Sequence, residues 1–193
     1  MPTALHSSAL AVLEQWVAPS PEQARLRERY VRHLRAEPRG VLRDCYPDHL
    51  TASTLVVSAD RRSVLLTLHR KAGRWFQLGG HVEPGDPSLP AAALREAREE
   101  SGIAGLELDP VPVQLSAHAV PFCDPRGGVR HLDVRFVATA PADAVHAVSA
   151  ESLDVAWWPV DALPHPDPDV LELVALAGRR LGTPPGRRGR PVS

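Results

Sequence analysis

The apolar positions of this 193-residue chain begin with two stripes at helical spacing. The first stripe runs from about Ala4 to Val17. The second follows Ser20-Pro21-Glu22-Gln23, which has the order of an N-capping serine, a first-turn proline and a capping-box glutamine. We therefore predict two helices at the start of the chain, the second of which ends near Ala36.

Beyond Pro38-Arg39-Gly40 the pattern changes to short apolar runs bounded by Gly, Pro and Asp, which is typical of strands. Six runs are predicted to be strands: Leu55–Val57, Val64–Leu68, Trp75–Leu78, Val111–Ala119, His131–Ala138 and Val155–Val160. A helix is predicted from about Ser88 to Ser101, and another after Asp167-Pro168-Asp169.

Composition and charge exclude several classes of function. The length is enough to bury a core without disulfides or structural metals. A net charge of -1 provides no whole-molecule attraction to nucleic acid or to an anionic membrane. No run approaches the ~20 apolar residues of a membrane span, and the first residues lack the pattern of a signal peptide. We expect a cytoplasmic protein with no membrane partner and no nucleic-acid partner.

The two cysteines, Cys45 and Cys123, lie far apart in the sequence, with neither a C-x-x-C pair nor a histidine at ligand spacing. The sequence therefore predicts neither a disulfide framework nor a zinc site. A reducing compartment fits this pattern.

Candidate chemistry is concentrated in the helix that ends at Ser101. At 100° per residue, Glu96, Glu99 and Glu100 lie within an arc of about 100° and share one face. Because like charges at this spacing repel, a divalent cation is the simplest explanation, and carboxylate oxygens suit Mg²⁺ or Mn²⁺. Arg95 stands four residues before Glu99, within reach of its carboxylate. An ordinary surface helix rich in Glu and Arg is the alternative.

The stretch from Gly80 to Ile103 resembles the signature of the Nudix hydrolase superfamily, G-x5-E-x7-R-E-U-x-E-E-x-G-U, in which U is a bulky apolar residue. The C-terminal half matches position by position, with the small Ala97 at the first U. In the N-terminal half, Asp86 replaces the first Glu and one extra residue separates it from Arg95. This insertion leaves the role of Asp86 open.

The resemblance implies an α/β fold, an alpha/beta/alpha sandwich around a mixed sheet, here with an N-terminal helical extension. Residues 1–45 are expected to form the extension, 46–181 the Nudix domain and 182–193 a disordered tail, because this tail is rich in Pro, Gly and Arg. The N-terminal helices are expected to flank or cover the cleft, or to form a homodimer contact.

The resemblance also implies roles for individual residues. Glu96, Glu99 and Glu100 match the metal-binding acids, Arg95 matches the residue that orients Glu99, and the carbonyl of Gly79 matches a backbone ligand. Glu99, Arg95 and Glu96 form the expected catalytic set.

Glu151 lies six residues before Trp157, where some relatives have another metal ligand or a base. A solvated loop acid is the alternative for this residue.

A second group of residues is expected to contact substrate. His69, Arg70 and Arg74 flank predicted strands and form a basic strip, while His131 and Asp133 share one face of a later strand. Plain turn charges and a solvent-facing strand are the alternatives.

The resemblance implies hydrolysis of a diphosphate in a nucleotide derivative, with bound magnesium activating a water with help from a Glu. A nucleotide-sensing module without turnover is the alternative from another class. A prenyl diphosphate isomerase has less support, because it needs a cleft cysteine and neither Cys45 nor Cys123 is predicted to lie in the cleft.

Overall fold

The computed structural model describes residues 3–148, 152–164 and 167–182. The helices are α1 (Ala4–Gln15), α2 (Pro21–Ala36), α3 (Leu89–Ser101) and α4 (Pro168–Arg180). The strands are β1 (Asp48–Val57), β2 (Ser63–His69), β3 (Arg74–Phe76), β4 (Leu78–His81), β5 (Glu107–Ala119), β6 (Arg130–Thr139) and β7 (Ser152–Pro159). The predicted disordered tail lies outside the described residues from 183 onward.

The strands form one mixed sheet in the order β3-β2-β1-β6-β5, with β4 also paired to β1 and β7 also paired to β2. The long central strands β1 and β6 run parallel, and the other pairs are antiparallel. Helices α1, α2 and α3 pack on one face of the sheet, and α4 packs on the other. This arrangement confirms the predicted alpha/beta/alpha sandwich.

The N-terminal helices share a core with the sheet. Leu13 of α1 and Tyr30 of α2 are completely buried in the same cluster as Leu50 and Phe136 of the central strands. None of the helices in the described ranges is long and apolar enough to cross a membrane.

Capping residues determine the helix ends. The side chains of Ser20, Ser88 and Asp167 accept hydrogen bonds from first-turn N–H groups, which satisfies donors that have no partner inside the helix. Gly102 ends α3 in the left-handed conformation, with φ 71°. Helix α1 ends at Gln15 and not at the predicted Val17, because Trp16 is already extended.

Two predicted strands differ from the observed ones. Strand β1 starts at Asp48, where it begins to pair with β6, and not at the predicted Leu55. The prediction starts too late because the first half of the strand alternates polar and apolar residues and has no apolar run. The predicted strand from Trp75 to Leu78 is divided at Gln77: β3 pairs with β2, whereas β4 pairs with β1. Because of this division, Gly79 and Gly80 belong to β4 and lie beside β1, next to α3.

Candidate active site

The sequence-predicted site residues that fall in the described ranges line one cleft of about 1480 Å³. They are His69, Arg70, Arg74, Gly79, Arg95, Glu96, Glu99, Glu100, His131 and Asp133. Glu151 lies outside the described residues. The cleft is also lined by Glu22, Gln23 and Leu26 of α2, so one N-terminal helix flanks it, as one of the alternatives predicted.

Small residues bring α3 close to the sheet. Ala92, Ala93 and Ala97 are fully buried and allow the helix backbone to approach the strands. On the acidic side of α3 the approach is so close that a Cβ on Gly80 would lie 2.6 Å from Glu96 Oε2. A Cβ on Gly79 would lie 2.2 Å from Ser53 Cβ and 2.8 Å from the Ala52 carbonyl oxygen, and the φ of Gly79 is 154°, so this position requires glycine, whereas a side chain at position 80 would displace the Glu96 carboxylate.

The three glutamates of α3 are held at the cleft by different partners. Glu100 accepts a hydrogen bond from the Gly79 N–H at 2.9 Å. Glu96 and Glu99 accept hydrogen bonds from Nη1 of Arg95 at 2.9 and 3.1 Å. The Glu96 side chain is 16% exposed and the Glu99 side chain 60% exposed, so Glu99 extends furthest into solvent.

Arg95 uses all five of its N–H donors. Besides the bonds from Nη1, Nε and Nη2 donate to the two carboxylate oxygens of Asp86 at 3.0 and 2.9 Å. Nη2 also donates to the carbonyl of His81 at 3.1 Å. The guanidinium therefore joins the loop before α3, strand β4 and two of the acids, Glu96 and Glu99.

The structure gives Asp86 a definite place, which the sequence left open. It is 8% exposed and also accepts the Glu83 N–H at 2.8 Å. Burial opposes its ionisation, but the hydrogen bonds from Arg95 and Glu83 outweigh burial and lower the pKa of Asp86. The inserted residue lengthens the loop without preventing this contact.

A buried polar network lies along the cleft floor. Asp133 is 3% exposed and accepts hydrogen bonds from Thr51 Oγ1 at 3.0 Å, Ser53 Oγ at 2.7 Å and Arg135 Nε at 2.8 Å. Burial opposes ionisation, but Arg135 keeps the pKa of Asp133 below its ordinary value. Arg135 also reaches Asp169 of α4 at 2.7 Å.

The basic strip also lines the cleft, and each member has a protein partner. Arg70 donates to the Ser152 carbonyl at 3.3 Å and Arg74 pairs with Asp167 at 2.8 Å. The His69 Nδ1 accepts the Ala72 N–H at 3.2 Å, and its ring centroid lies 5.7 Å from that of Phe122. The strip can contact a bound anion from this wall of the cleft.

Three further residues join His131 in a group that sequence spacing does not indicate, and two of them, His81 and Cys123, line the cleft. His49, His81, His131 and Cys123 offer ligand atoms that all lie within 4.8 Å of one another. The expectation that Cys123 lies away from the cleft is wrong, because the loop after β5 turns it inward. Burial, followed by repulsion from neighbouring histidines, lowers the pKa of His81 to about 4 and that of His131 to about 3.

Spacing along the chain could not reveal this group, because its members come from three strands and a loop. Of the three histidines only His131 lies in a predicted strand, so the sequence offers no common pattern, and the group becomes visible only when the strand order is known.

Comparison with known proteins identifies the domain. The family model of the NUDIX domain matches residues 47–175. The human 8-oxo-dGDP phosphatase NUDT18 is 33% identical over 134 residues, which cover 64% of this chain. The chain spans only 37% of the length of that relative.

Solved structures show the same fold. A NUDIX-family hydrolase from Clostridium perfringens is 25% identical, with a TM-score of 0.54, over 69% of this chain and 97% of that one. An Ap4A hydrolase from C. elegans is 17% identical, with a TM-score of 0.57, over the same shares of the two chains.

Proposed function

Because this chain belongs to the Nudix family, matched over residues 47–175, we propose that it is a metal-dependent hydrolase that cleaves the diphosphate linkage of a nucleotide derivative. The observation that carries the proposal is a set of hydrogen bonds at one wall of the cleft. Arg95 donates to Glu96 and Glu99, and Glu100 accepts from the Gly79 N–H. The signature residues thus meet at one place in the fold.

The oxygen donors at this wall fit a hard divalent cation. Glu96, Glu99, Glu100 and the carbonyl of Gly79 are the proposed ligands of Mg²⁺, with Mn²⁺ as the alternative ion. The 2.9 Å contact between Glu100 and the Gly79 N–H supports this set, because it places the acid beside the residue that supplies the backbone ligand. When bound, the ion would neutralise substrate charge and lower the pKa of a coordinated water.

The protein's own groups position the reactants. Arg95 keeps Glu99 directed into the cleft, and Glu99 has the more exposed carboxylate of the two that Arg95 binds. We assign Glu99 to accept the proton of the attacking water. Asp86 orients Arg95 from the other side and so has a positioning role.

Substrate phosphates are proposed to contact the basic strip of His69, Arg70 and Arg74, all of which line the cleft. His131 and Asp133 lie on the cleft floor and are proposed to border the substrate. Glu151 stays a prediction as a further ligand or base. A cytoplasmic location also stays part of the proposal, supported by two free cysteines.

The first test replaces single carboxylates. We expect Glu99→Gln to lower kcat at least about 100-fold, the lower range for loss of acid–base catalysis, and Glu100→Gln to lower it by a similar factor because it removes a charged ligand of the ion. Far-ultraviolet circular dichroism should show that both variants fold. Glu28→Gln is the matched control, because Glu28 is exposed on α2 outside the cleft.

Full activity of Glu99→Gln or Glu100→Gln would contradict the assignment. Chelation of divalent metal should abolish turnover, and added Mg²⁺ should restore it; turnover that persists under chelation would contradict the metal dependence.

The substrate is best sought by measuring phosphate or pyrophosphate release in Mg²⁺ from a panel of nucleotide derivatives. The names of the relatives place 8-oxo-dGDP and Ap4A in this panel, next to nucleoside triphosphates, a nucleotide sugar and capped RNA. Hydrolysis of a panel member supports the proposal, whereas binding without turnover favours a nucleotide sensor.

A further inference from the structure

Three adjacent strands each place one histidine beside the others on one face of the sheet, where His81 and His131 line the cleft. His49 of β1 lies directly opposite His131 of β6, and His81 of β4 lies opposite Thr51, two residues along β1. Since side chains alternate along a strand, the three imidazoles share one face. Their ring centroids are separated by 5.0 to 5.2 Å.

The loop between β5 and β6 places a thiol among these rings. Cys123 Sγ lies 3.4 Å from His131 Nε2, 3.6 Å from His81 Nε2 and 4.0 Å from His49 Nε2. In a tetrahedral zinc site, bond lengths of about 2.3 Å to sulfur and 2.0–2.1 Å to nitrogen put these atoms about 3.6 Å apart. The observed separations are centred on this value.

One of the histidines is already oriented as a metal ligand. His49 Nδ1 is 3.1 Å from the Cys45 carbonyl, and a carbonyl can only accept, so the ring donates from Nδ1. In the neutral ring this leaves a lone pair on Nε2, the atom that faces the thiol. A histidine bound to metal through one nitrogen usually donates from the other in this way.

Hydrogen bonding holds this group together only weakly when no metal is bound. The Cys123 sulfur can donate one proton and accept from neighbouring imidazoles, but it is weak in both roles, and the three Nε2 atoms lie at 3.4, 3.6 and 4.0 Å from it. A cation would bind a lone pair of each imidazole and of the thiolate at once.

We propose that His49, His81, His131 and Cys123 form a closed four-ligand site for Zn²⁺. Three imidazoles and one thiolate are donors that zinc prefers, whereas magnesium prefers oxygen. Four protein ligands leave no open position, which is the arrangement of a structural site and not of a catalytic one. None of the four ligands is a carboxylate of α3, and the proposal does not depend on the proposed hydrolysis.

Zinc at this position would fasten the β5–β6 loop to the sheet. The residue before Cys123 is Phe122, which borders the cleft beside His69. Metal binding would therefore fix an aromatic side chain that lines the cleft, as well as stabilise the fold.

The test measures zinc binding by the full chain in excess Mg²⁺, which occupies oxygen sites. After metal removal, we expect one tightly bound Zn²⁺ per chain by elemental analysis and a higher Tm in its presence. Co²⁺ in place of zinc should give a thiolate-to-cobalt charge-transfer band.

Cys123→Ser and His131→Asn should each weaken zinc binding at least about 100-fold, because even loss of an outer partner of a ligand costs about 10–100-fold. Matched controls are Cys45→Ser and His118→Asn, since neither residue belongs to the group; both should bind zinc like the parent. Circular dichroism of the metal-free proteins tests folding, and His49→Asn is the substitute for a variant that does not fold.

Absence of bound zinc, or a cobalt complex without the thiolate band, would overturn the proposal. So would parent-like zinc binding by both Cys123→Ser and His131→Asn. Loss of the zinc in Glu99→Gln but not in Cys123→Ser would place the ion at the carboxylates and overturn it as well.

Discussion

At the scale of single residues, Arg95 shows how the site depends on one complete set of hydrogen bonds. Asp86 binds two of its five donors, and the remaining donors orient two acids and β4. Lysine could not replace Arg95, because it lacks the planar fork that binds a carboxylate at two points.

We predict that Asp86→Asn lowers the free energy of unfolding by about 1–3 kcal/mol, the cost of leaving a buried polar partner unsatisfied. Hydrolysis should also fall, since Arg95 would hold Glu99 less rigidly. Urea unfolding measures the first effect. Asp44→Asn is the control, because Asp44 binds Arg39 at two points but both side chains are exposed; an equal loss in both variants would contradict the prediction.

The stability difference between parent and Asp86→Asn should depend on pH. The pKa of Asp86 is lowered in the folded protein, so its contribution is complete above the unfolded pKa of about 3.9. It is lost as the pH falls through the folded pKa. The free energies of unfolding of the parent and of Asp86→Asn should therefore converge at acid pH. A difference between them that stays constant down to pH about 2 would contradict this assignment.

From the sequence alone, the roles of the site residues can be assigned only by their match to the Nudix motif. The spacing of Glu96, Glu99 and Glu100 indicates one helix face, and the structure places all three at the cleft. Asp86 could not be assigned, because an inserted residue changes its distance along the chain but not its reach to Arg95.

At the scale of elements, the Gln23 side chain joins α2 to the edge strand β5, because its amide forms the two hydrogen bonds that a neighbouring backbone would form. Gln23 is 3% exposed; it donates to the Leu115 carbonyl at 3.0 Å and accepts the Leu115 N–H at 2.7 Å. The sequence identifies Gln23 only as a capping-box residue, because its partner lies 92 positions away.

We predict that Gln23→Leu destabilises the protein by about 2–4 kcal/mol, because it leaves a buried N–H and a buried carbonyl without partners. Hydrogen exchange of the Leu115 amide should accelerate. The control is Gln15→Leu at the exposed end of α1, with an expected change within about 0.5 kcal/mol. Unchanged stability of Gln23→Leu would show that α2 is attached by other contacts.

Elements with strong local signals are predicted well from the sequence, and elements defined by pairing are not. Helix α3 begins and ends within one residue of its prediction, since Ser88 and Gly102 are caps. The sequence predicts strand β1 at Leu55–Val57 only, because His49, Thr51 and Ser53 interrupt the apolar run; Thr51 and Ser53 face the cleft. Strand β5 begins before Val111, and its pairing is irregular between Asp109 and Gln114, where prolines 110 and 112 lack N–H donors.

At the scale of the whole molecule, strand order brings together residues that the sequence keeps apart. The group around Cys123 needs β4, β1 and β6 as neighbours, and this order includes a parallel pair that local patterns do not determine. The network around Asp133 depends on the same order, because its partners lie on β1, β6 and α4.

This network is expected to hold the two sides of the cleft floor together. Arg135 is 3% exposed and joins Asp133 of β6 to Asp169 of α4. We predict that Arg135→Met destabilises the protein by about 3–5 kcal/mol, because it leaves a buried carboxylate without its counter-charge. The matched control is Arg180→Met, because Arg180 also joins α4 to a strand, through Asp109. Its side chain is 42% exposed, so the free energy of unfolding should fall by no more than about 1 kcal/mol.

The pH dependence of stability distinguishes loss of the Arg135 charge from simple loss of packing. Without Arg135, burial would raise the folded pKa of Asp133 above its unfolded value, so the Arg135→Met protein should regain stability relative to the parent as the pH falls through that raised pKa. Replacing Asp133 with Asn in the same protein removes the buried charge and keeps one acceptor oxygen for Thr51 and Ser53. The double variant should therefore be more stable than Arg135→Met alone at pH 7; equal or lower stability would mean that Arg135 acts through packing and not through its charge.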